Sequence, residues 1–203
     1  MGSNSSAPSE YIGDRVDGLA NGKGTLTSEV GMTYDGEWVL GERYGVGRQT
    51  WPSGANYKGC WKENKPHGKG VYVYSNGCMY DGNFVNGERD GLGWMKWVIS
   101  AQLHCQADMF SQYEGEWKDD EMHGYGTMMF RSGATHKGWW DYGVRSGPGM
   151  HTLLNGDYIQ GVWVNDLVEG ACTYYFASTK TMCVGFWRAG QPIHVKWITH
   201  PAL

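Results

Sequence analysis

The side chains of this 203-residue chain that could do chemistry are carboxylate pairs, seven histidines, five cysteines and a recurring Gly-x-Gly. Asp35 with Glu37, Glu114 with Glu116, and the run Asp119-Asp120-Glu121 have the composition of acid/base pairs. Their alternation with aromatic residues instead puts them on the solvated face and in the loops of a sheet. His67 and His123 occupy equivalent places in a repeating pattern. Units of that pattern lie two strands apart, roughly 9.6 Å, too far for one metal ion to bridge. No Gly-x-Gly follows a strand and opens a helix with the spacing of a dinucleotide or phosphate loop, so its role is backbone geometry. No Ser or Cys sits in a nucleophile motif. The expectation is a chain with no catalytic residues, no metal site and no cofactor.

The elements carrying these residues are set by a repeat. Thirty-two Gly, 11 Trp and 13 Tyr depart from an average globular composition, and self-comparison finds the cause. The unit is Tyr-x-Gly-x-Trp followed, seven residues after the Trp, by Gly-x-Gly. Copies run Tyr34-Asp-Gly36-Glu-Trp38 with Gly45 and Gly47, Tyr57-Lys-Gly59-Cys-Trp61 with Gly68 and Gly70, and Tyr80-Asp-Gly82-Asn-Phe84 with Gly91 and Gly93, each 23 residues after the last. The pattern resumes at Tyr113-Glu-Gly115-Glu-Trp117, His136-Lys-Gly138-Trp-Trp140 and Ile159-Gln-Gly161-Val-Trp163, again at 23-residue steps. Degenerate units at Tyr11 and Cys183 close the array.

Period-2 alternation puts Tyr34, Gly36 and Trp38 on one face of a strand and Asp35 and Glu37 on the other. A glycine between two same-face aromatics leaves bare backbone for a neighbouring ring to cover. Gly41, Asn64, Gly87, Asp120, Gly143, Asp166 and Gly190 follow the Trp position by three and mark one tight turn per unit. Gly31, Gly54, Gly77, Gly133 and Gly156 mark the other. Trp51, Tyr74, Trp97, Phe130, Leu153 and Phe176 share the glycine face by parity and should continue the aromatic surface. The fold class is all-β: an elongated, single-layer antiparallel sheet of tandem β-hairpins, twisted into a trough or solenoid-like rod. Residues 1–10 read as a tail, 11–190 as about eight units with an insertion at 94–112, and 191–203 as a C-terminal tail or cap.

The Tyr-x-Gly-x-Trp…His-Gly-x-Gly units, clearest at Tyr57 to Gly70 and Tyr113 to Gly126, resemble MORN repeats (membrane occupation and recognition nexus) over about residues 11 to 190. The resemblance implies an open sheet with an aromatic groove that binds protein in cytoskeletal, axonemal (cilium and flagellum) and membrane-junction assemblies, and it implies no reaction. His136, Ile159 and Cys183 replace the family's Tyr, and Cys172 replaces its last Gly.

The expected function is a scaffold gripping a peptide or helix along a groove formed by Tyr34, Trp38, Tyr57, Trp61, Tyr80, Phe84, Tyr113, Trp117, Trp140 and Trp163. The opposing reading is that these rings pack on one another and serve the fold. Alternatives in function are a peripheral membrane adaptor and an accessory subunit of an enzyme. A net charge of −4 with scattered Lys and Arg disfavours nucleic acid and direct binding to anionic lipid.

Three features exceed the repeat. Nineteen residues separate Gly93 from Tyr113 where an ordinary unit has nine, and the extra ones should extend a hairpin, as a partner-contacting lip or as a tolerated loop. The position before the Trp turns from mainly polar to apolar at Trp139, Val162 and Phe186. That stripe marks a second-face interface with a partner or another copy, a homodimer, unless the tail with Ile193, Val195, Trp197 and Ile198 folds back over it as a lid. Met1-Gly2-Ser3-Asn4-Ser5-Ser6 fits the pattern for N-myristoylation of Gly2, which would make the chain a lipoprotein; the alternative is an unmodified Ser-rich tail. One myristate binds membranes marginally without a second signal. With no apolar span and an odd, unclustered set of cysteines, the expected home is the cytoplasm, at the cytoskeleton or axoneme or on the cytoplasmic face of a membrane.

Overall fold

The structure, a computed structural model, describes residues 9–98 and 110–199. The chain divides into two compact units, Met1–Val98 and Ile99–Leu203. The first holds β1 (Glu10–Val16), β2 (Leu19–Thr27), β3 (Thr33–Val39), β4 (Glu42–Thr50), β5 (Asn56–Lys62), β6 (Lys65–Val73), β7 (Met79–Val85) and β8 (Glu88–Lys96). The second holds β9 (Phe110–Lys118), β10 (Glu121–Phe130), β11 (Thr135–Asp141), β12 (Val144–Thr152), β13 (Tyr158–Val164), β14 (Leu167–Phe176), β15 (Thr181–Arg188) and β16 (Gln191–Thr199). Within each unit every strand pairs antiparallel with its chain neighbours, so each unit is an open sheet of consecutive hairpins.

Hairpin geometry follows from the turn residues. Each Tyr-bearing strand joins its partner through two residues with positive φ, such as Leu40 (47°) with Gly41 (87°) and Glu63 (49°) with Asn64 (66°). This is the two-residue turn whose twist matches that of the strands. The sequence placed the second residue of each turn; the first is left-handed as well, even where it is Leu40 or Tyr142. The second residue also donates its N–H to the preceding hairpin, Gly41 to the Ala20 carbonyl at 2.8 Å and Gly87 to that of Pro66 at 2.8 Å. Successive hairpins are linked by longer turns with a glycine in the left-handed region, as at Gly54, which donates to the Trp51 carbonyl at 2.9 Å.

The first glycine of Gly-x-Gly forms a bulge. Gly36 pairs with Gly47, but the next residue, Glu37, pairs with Tyr44, leaving Gly45 (φ 62°) and Val46 out of that ladder. Such a bulge bends and twists its strand.

The core of each unit lies on one face. Tyr34 lies down over Gly36 and Gly47, so that a Cβ on either would meet its hydroxyl at 2.6 or 2.3 Å. The covering ring thus comes from the glycine's own strand, two residues earlier, and the paired glycines are there because the ring occupies their side-chain space. Its hydroxyl donates to the Glu37 carbonyl at 3.0 Å; Tyr57 to Cys60, Tyr80 to Asn83 and Tyr113 to Glu116 repeat the bond. Trp61 reaches back to the preceding hairpin, its indole N–H donating to the Gly47 carbonyl at 3.2 Å.

Gln191–Thr199 do not fold back as a lid over Trp139, Val162 and Phe186. Gln191–Thr199 is β16, paired edge to edge with β15, and Trp197 on it is 62% exposed. Of the insertion, Trp94 to Lys96 belong to β8 and Phe110 to Gln112 begin β9. Residues 99–109 of it, with Cys105, and the Gly2 site lie outside the described residues.

Candidate protein-binding face

The ten groove residues are brought onto the ring-bearing faces, Tyr34, Trp38, Tyr57, Trp61, Tyr80 and Phe84 in the first unit, Tyr113, Trp117, Trp140 and Trp163 in the second. None is more than 6% exposed. They form a herringbone of edge-to-face contacts: Tyr34 meets Trp38 at 5.0 Å and Trp61 of the next hairpin at 5.2 Å, and Tyr57 meets Trp61 at 5.1 Å and Phe84 at 5.2 Å. Burial pushes the Tyr34 phenol up to about 12 and raises those of Tyr57 and Tyr113 further, so these hydroxyls are neutral donors throughout the physiological range. These rings are the floor of the face, and its accessible apolar surface is made by others.

Those others stand where the hairpin nears its linking turn. Trp51, Tyr72 and Tyr74 are half-buried and form a row, Trp51 to Tyr72 at 5.5 Å and Tyr72 to Tyr74 at 4.5 Å. Tyr72 rests against the buried Tyr57 at 6.4 Å. In the second unit the same rim carries Phe130 beside His151 at 5.5 Å, then Tyr174, Phe176 and Trp197, with Phe176 stacked on Trp197 at 5.3 Å. Sequence reading placed Trp51, Tyr74, Phe130 and Phe176 on this face but missed Tyr72, His151 and Tyr174, two residues beyond the second glycine. Parity alone would have found them.

At the opposite margin arginines close the floor. Arg43 lies 4.8 Å over the Trp61 ring and donates to the Asn64 side chain and carbonyl. Arg145 lies 4.3 Å over Trp163 and donates to Asp166 at 2.8 Å. Burial lowers the Arg43 pKa, though the guanidinium stays charged.

The second unit departs where its sequence does. His136, in a Tyr position, is wholly buried between Trp140 (5.3 Å) and Trp163 (5.0 Å), and neither ring nitrogen has a protein partner. Burial, helped by Arg145 and His151, takes its pKa down to about 3. Ile159 leaves the next glycine pair uncovered, and there Cys172 stands opposite Gly161. A Cβ on Gly161 would meet the Cβ and Sγ of Cys172 at 3.1 and 3.3 Å, so the thiol fills the space that a ring takes elsewhere. Cys172 and Cys183 pack with Trp163, Val168 and Trp187, and burial pushes the Cys172 thiol up to about 11. His67 and His123 lie on separate hairpins in different units, and no cluster of metal-ligating side chains occurs among the described residues.

On the reverse face of the second unit, Trp139, Val162 and Phe186 are 48%, 43% and 57% exposed. A groove of about 500 Å³ runs between Trp139 and Val162, with Tyr125, Pro148 and Met150 in its walls.

The repeat geometry has a counterpart among known families. The MORN repeat matches residues 11–33, 34–55, 57–79, 80–100, 113–135 and 160–180. The chain belongs to the MORN repeat family. The unmatched stretch between the last two copies holds the His136 unit, which builds the same hairpin from a divergent sequence. MORN repeat-containing protein 3 of Xenopus laevis is 34% identical over 76 residues, covering 34% of this chain and 32% of its own length. Human ALS2 C-terminal-like protein is 30% identical over 118 residues, 58% of this chain and 9% of its own. The match thus spans a minor part of either curated relative. Among solved structures, the SAS-4 (dCPAP) TCP domain of Drosophila melanogaster, in complex with a proline-rich motif of Ana2 (dSTIL), covers 87% of this chain and 88% of its own, with 9% identity and a TM-score of 0.47. Among the described residues of this MORN chain, no helix is long and apolar enough to cross a membrane.

Proposed function

We propose that this chain is a non-catalytic scaffold whose ring-bearing face holds a peptide or helix of a protein partner. The observation carrying the reading is the half-buried row Trp51–Tyr72–Tyr74 laid against the buried floor at Tyr57. Rigid aromatic surface held in place by packing loses little entropy on contact, which is why such rings dominate binding energies. The floor residues named from the sequence act by fixing that row rather than by touching the partner. A cytoskeletal or axonemal setting is supported by the family resemblance, and Gly2, if acylated, would add a marginal membrane contact to the same scaffold.

Trp51→Ala/Tyr74→Ala tests the reading. Both side chains are partly exposed, so circular dichroism should match wild type. Affinity capture from native lysate should then lose a partner that wild type retains. If every partner survives in the folded variant, this row is not the binding surface.

A further inference from the structure

The reverse faces of the two units are built alike and surfaced differently. In the first, the positions before and between the rings include the charged Asp35, Glu37, Arg48 and Lys58, which line a depression together with Val46. In the second, two reverse-facing rows that cross β12 to β15, Thr152–Tyr158–Tyr175–Met182 and Met150–Gln160–Thr173–Val184, contain no charged residue, and in the third Val162 pairs with Glu169, whose carboxylate accepts from the Ala189 N–H at the next hairpin tip. The Trp139–Val162 groove lies at one end of this surface, over β12, and Phe186 projects from β15 at the other.

We propose that this face packs against the same face of a second copy of the chain, with Phe186 of each copy seated in the Trp139–Val162 groove of the other. Two facts favour a second copy over an unrelated protein. A twofold interface requires projection and recess on one patch, at equal distances from the axis and at one height along it. Ladder pairing gives that arrangement: Gly149, Gly161, Cys172 and Gly185 form one continuous row, and Pro148, Val162 and Phe186 each stand one residue to the same side of it, so groove and ring lie at one height three strands apart. A twofold axis lying between the two sheets, parallel to the strands and midway between β13 and β14, exchanges β12 with β15. It carries Phe186 onto Pro148, between Trp139 and Val162, in the aligned packing common for stacked sheets. The second fact is extent. From β11 to β16, the strands this axis exchanges, the rows cover about 24 by 20 Å, on the order of 500 Å² at roughly 4.8 Å per strand and roughly 6.8 Å per row. Two such faces bury about 1,000 Å² together, the lower bound for a specific interface.

The same operation turns Lys137 on β11 toward Lys196 on β16 of the second copy, because Lys137, Met150, Gln160, Thr173, Val184 and Lys196 share one row. Like charges at the margin oppose an association driven by the apolar centre. Added salt screens them, so the dimer should tighten as ionic strength rises.

Sedimentation of the full chain is the test. Wild type should be dimeric at tens of micromolar, and Phe186→Lys or Val162→Asp, both at exposed positions, should each weaken association by about 30-fold or more. Mixing the two variants should restore a dimer. The lysine introduced in one copy then faces the aspartate introduced in the other at one contact, while the native Phe186 faces the native Val162 at the second. A wild-type monomer, a dimer indifferent to both substitutions, or variants that stay monomeric on mixing would overturn the proposal.

Discussion

His136 offers the sharpest quantitative test of how the second unit is held together. Its imidazole is wholly buried and has no protein partner for either nitrogen, and burial holds its pKa at about 3. In the unfolded chain a histidine titrates near 6.5. Between these values the unfolded state binds the extra proton, so stability is full above about pH 6.5 and falls as pH drops toward about 3. At pH 5 the deficit is about 1.5 pH units at 1.36 kcal/mol each, or about 2 kcal/mol. His136→Tyr removes that dependence and supplies a hydroxyl where Tyr34, Tyr57, Tyr80 and Tyr113 donate to a carbonyl three residues on. That bond should add about 1 kcal/mol. Urea unfolding followed by tryptophan fluorescence at pH 8 and pH 5 should show the variant modestly more stable at pH 8. It should also lose about 2 kcal/mol less than wild type on acidification. His151, also lowered by burial, is present in both proteins and drops out of the difference. Equal losses on acidification would refute the assignment of a neutral, unsatisfied imidazole at this position.

Two further outcomes follow from the ring-over-glycine packing. Gly47→Ala would put a Cβ 2.3 Å from the Tyr34 hydroxyl and lift the ring from its bed, costing on the order of 3 kcal/mol in urea unfolding. Gly170→Ala meets no atom within 4 Å and should cost only about 1–2 kcal/mol, for its left-handed φ of 77°. Ile159→Tyr should destabilise alone, since Cys172 occupies the space of the ring, yet be tolerated with Cys172→Gly. The double-mutant cycle should show a coupling of at least about 1 kcal/mol, and additivity would contradict the proposed compensation.

Much of this was legible in the sequence because 23-residue periodicity and period-2 alternation are properties of the chain alone. The turns at the glycine, Asn and Asp positions named above and the face of the Tyr and Trp in each Tyr-x-Gly-x-Trp motif came from them. The bulge at Gly45 did not, since two residues slipping out of a ladder leave the alternation on either side unchanged. Nor did the depth of the rings: Tyr34 and Gly36 share a face whether the phenol stands up toward a partner or lies down over the glycines. Which it does depends on Gly47 across the strand. The second-face residues were easier, because an apolar residue at a position that elsewhere carries Glu37 or Asn83 departs from the repeat's own standard.

The N–H that each hairpin tip gives to the hairpin before it, from Gly41 to Ala20 and from Gly87 to Pro66, makes length an editable property. Strands in either unit pair only with their chain neighbours, and each hairpin offers the same acceptor to its successor as it found on its predecessor. A 23-residue unit duplicated or excised in frame would therefore meet matching surfaces on both sides. Spacing between whatever is held at one position of a unit and at another can change in steps of two strands, roughly 9.6 Å, without redesigning any contact. Unequal crossing-over within such a gene would alter reach while leaving the chemistry of each contact intact.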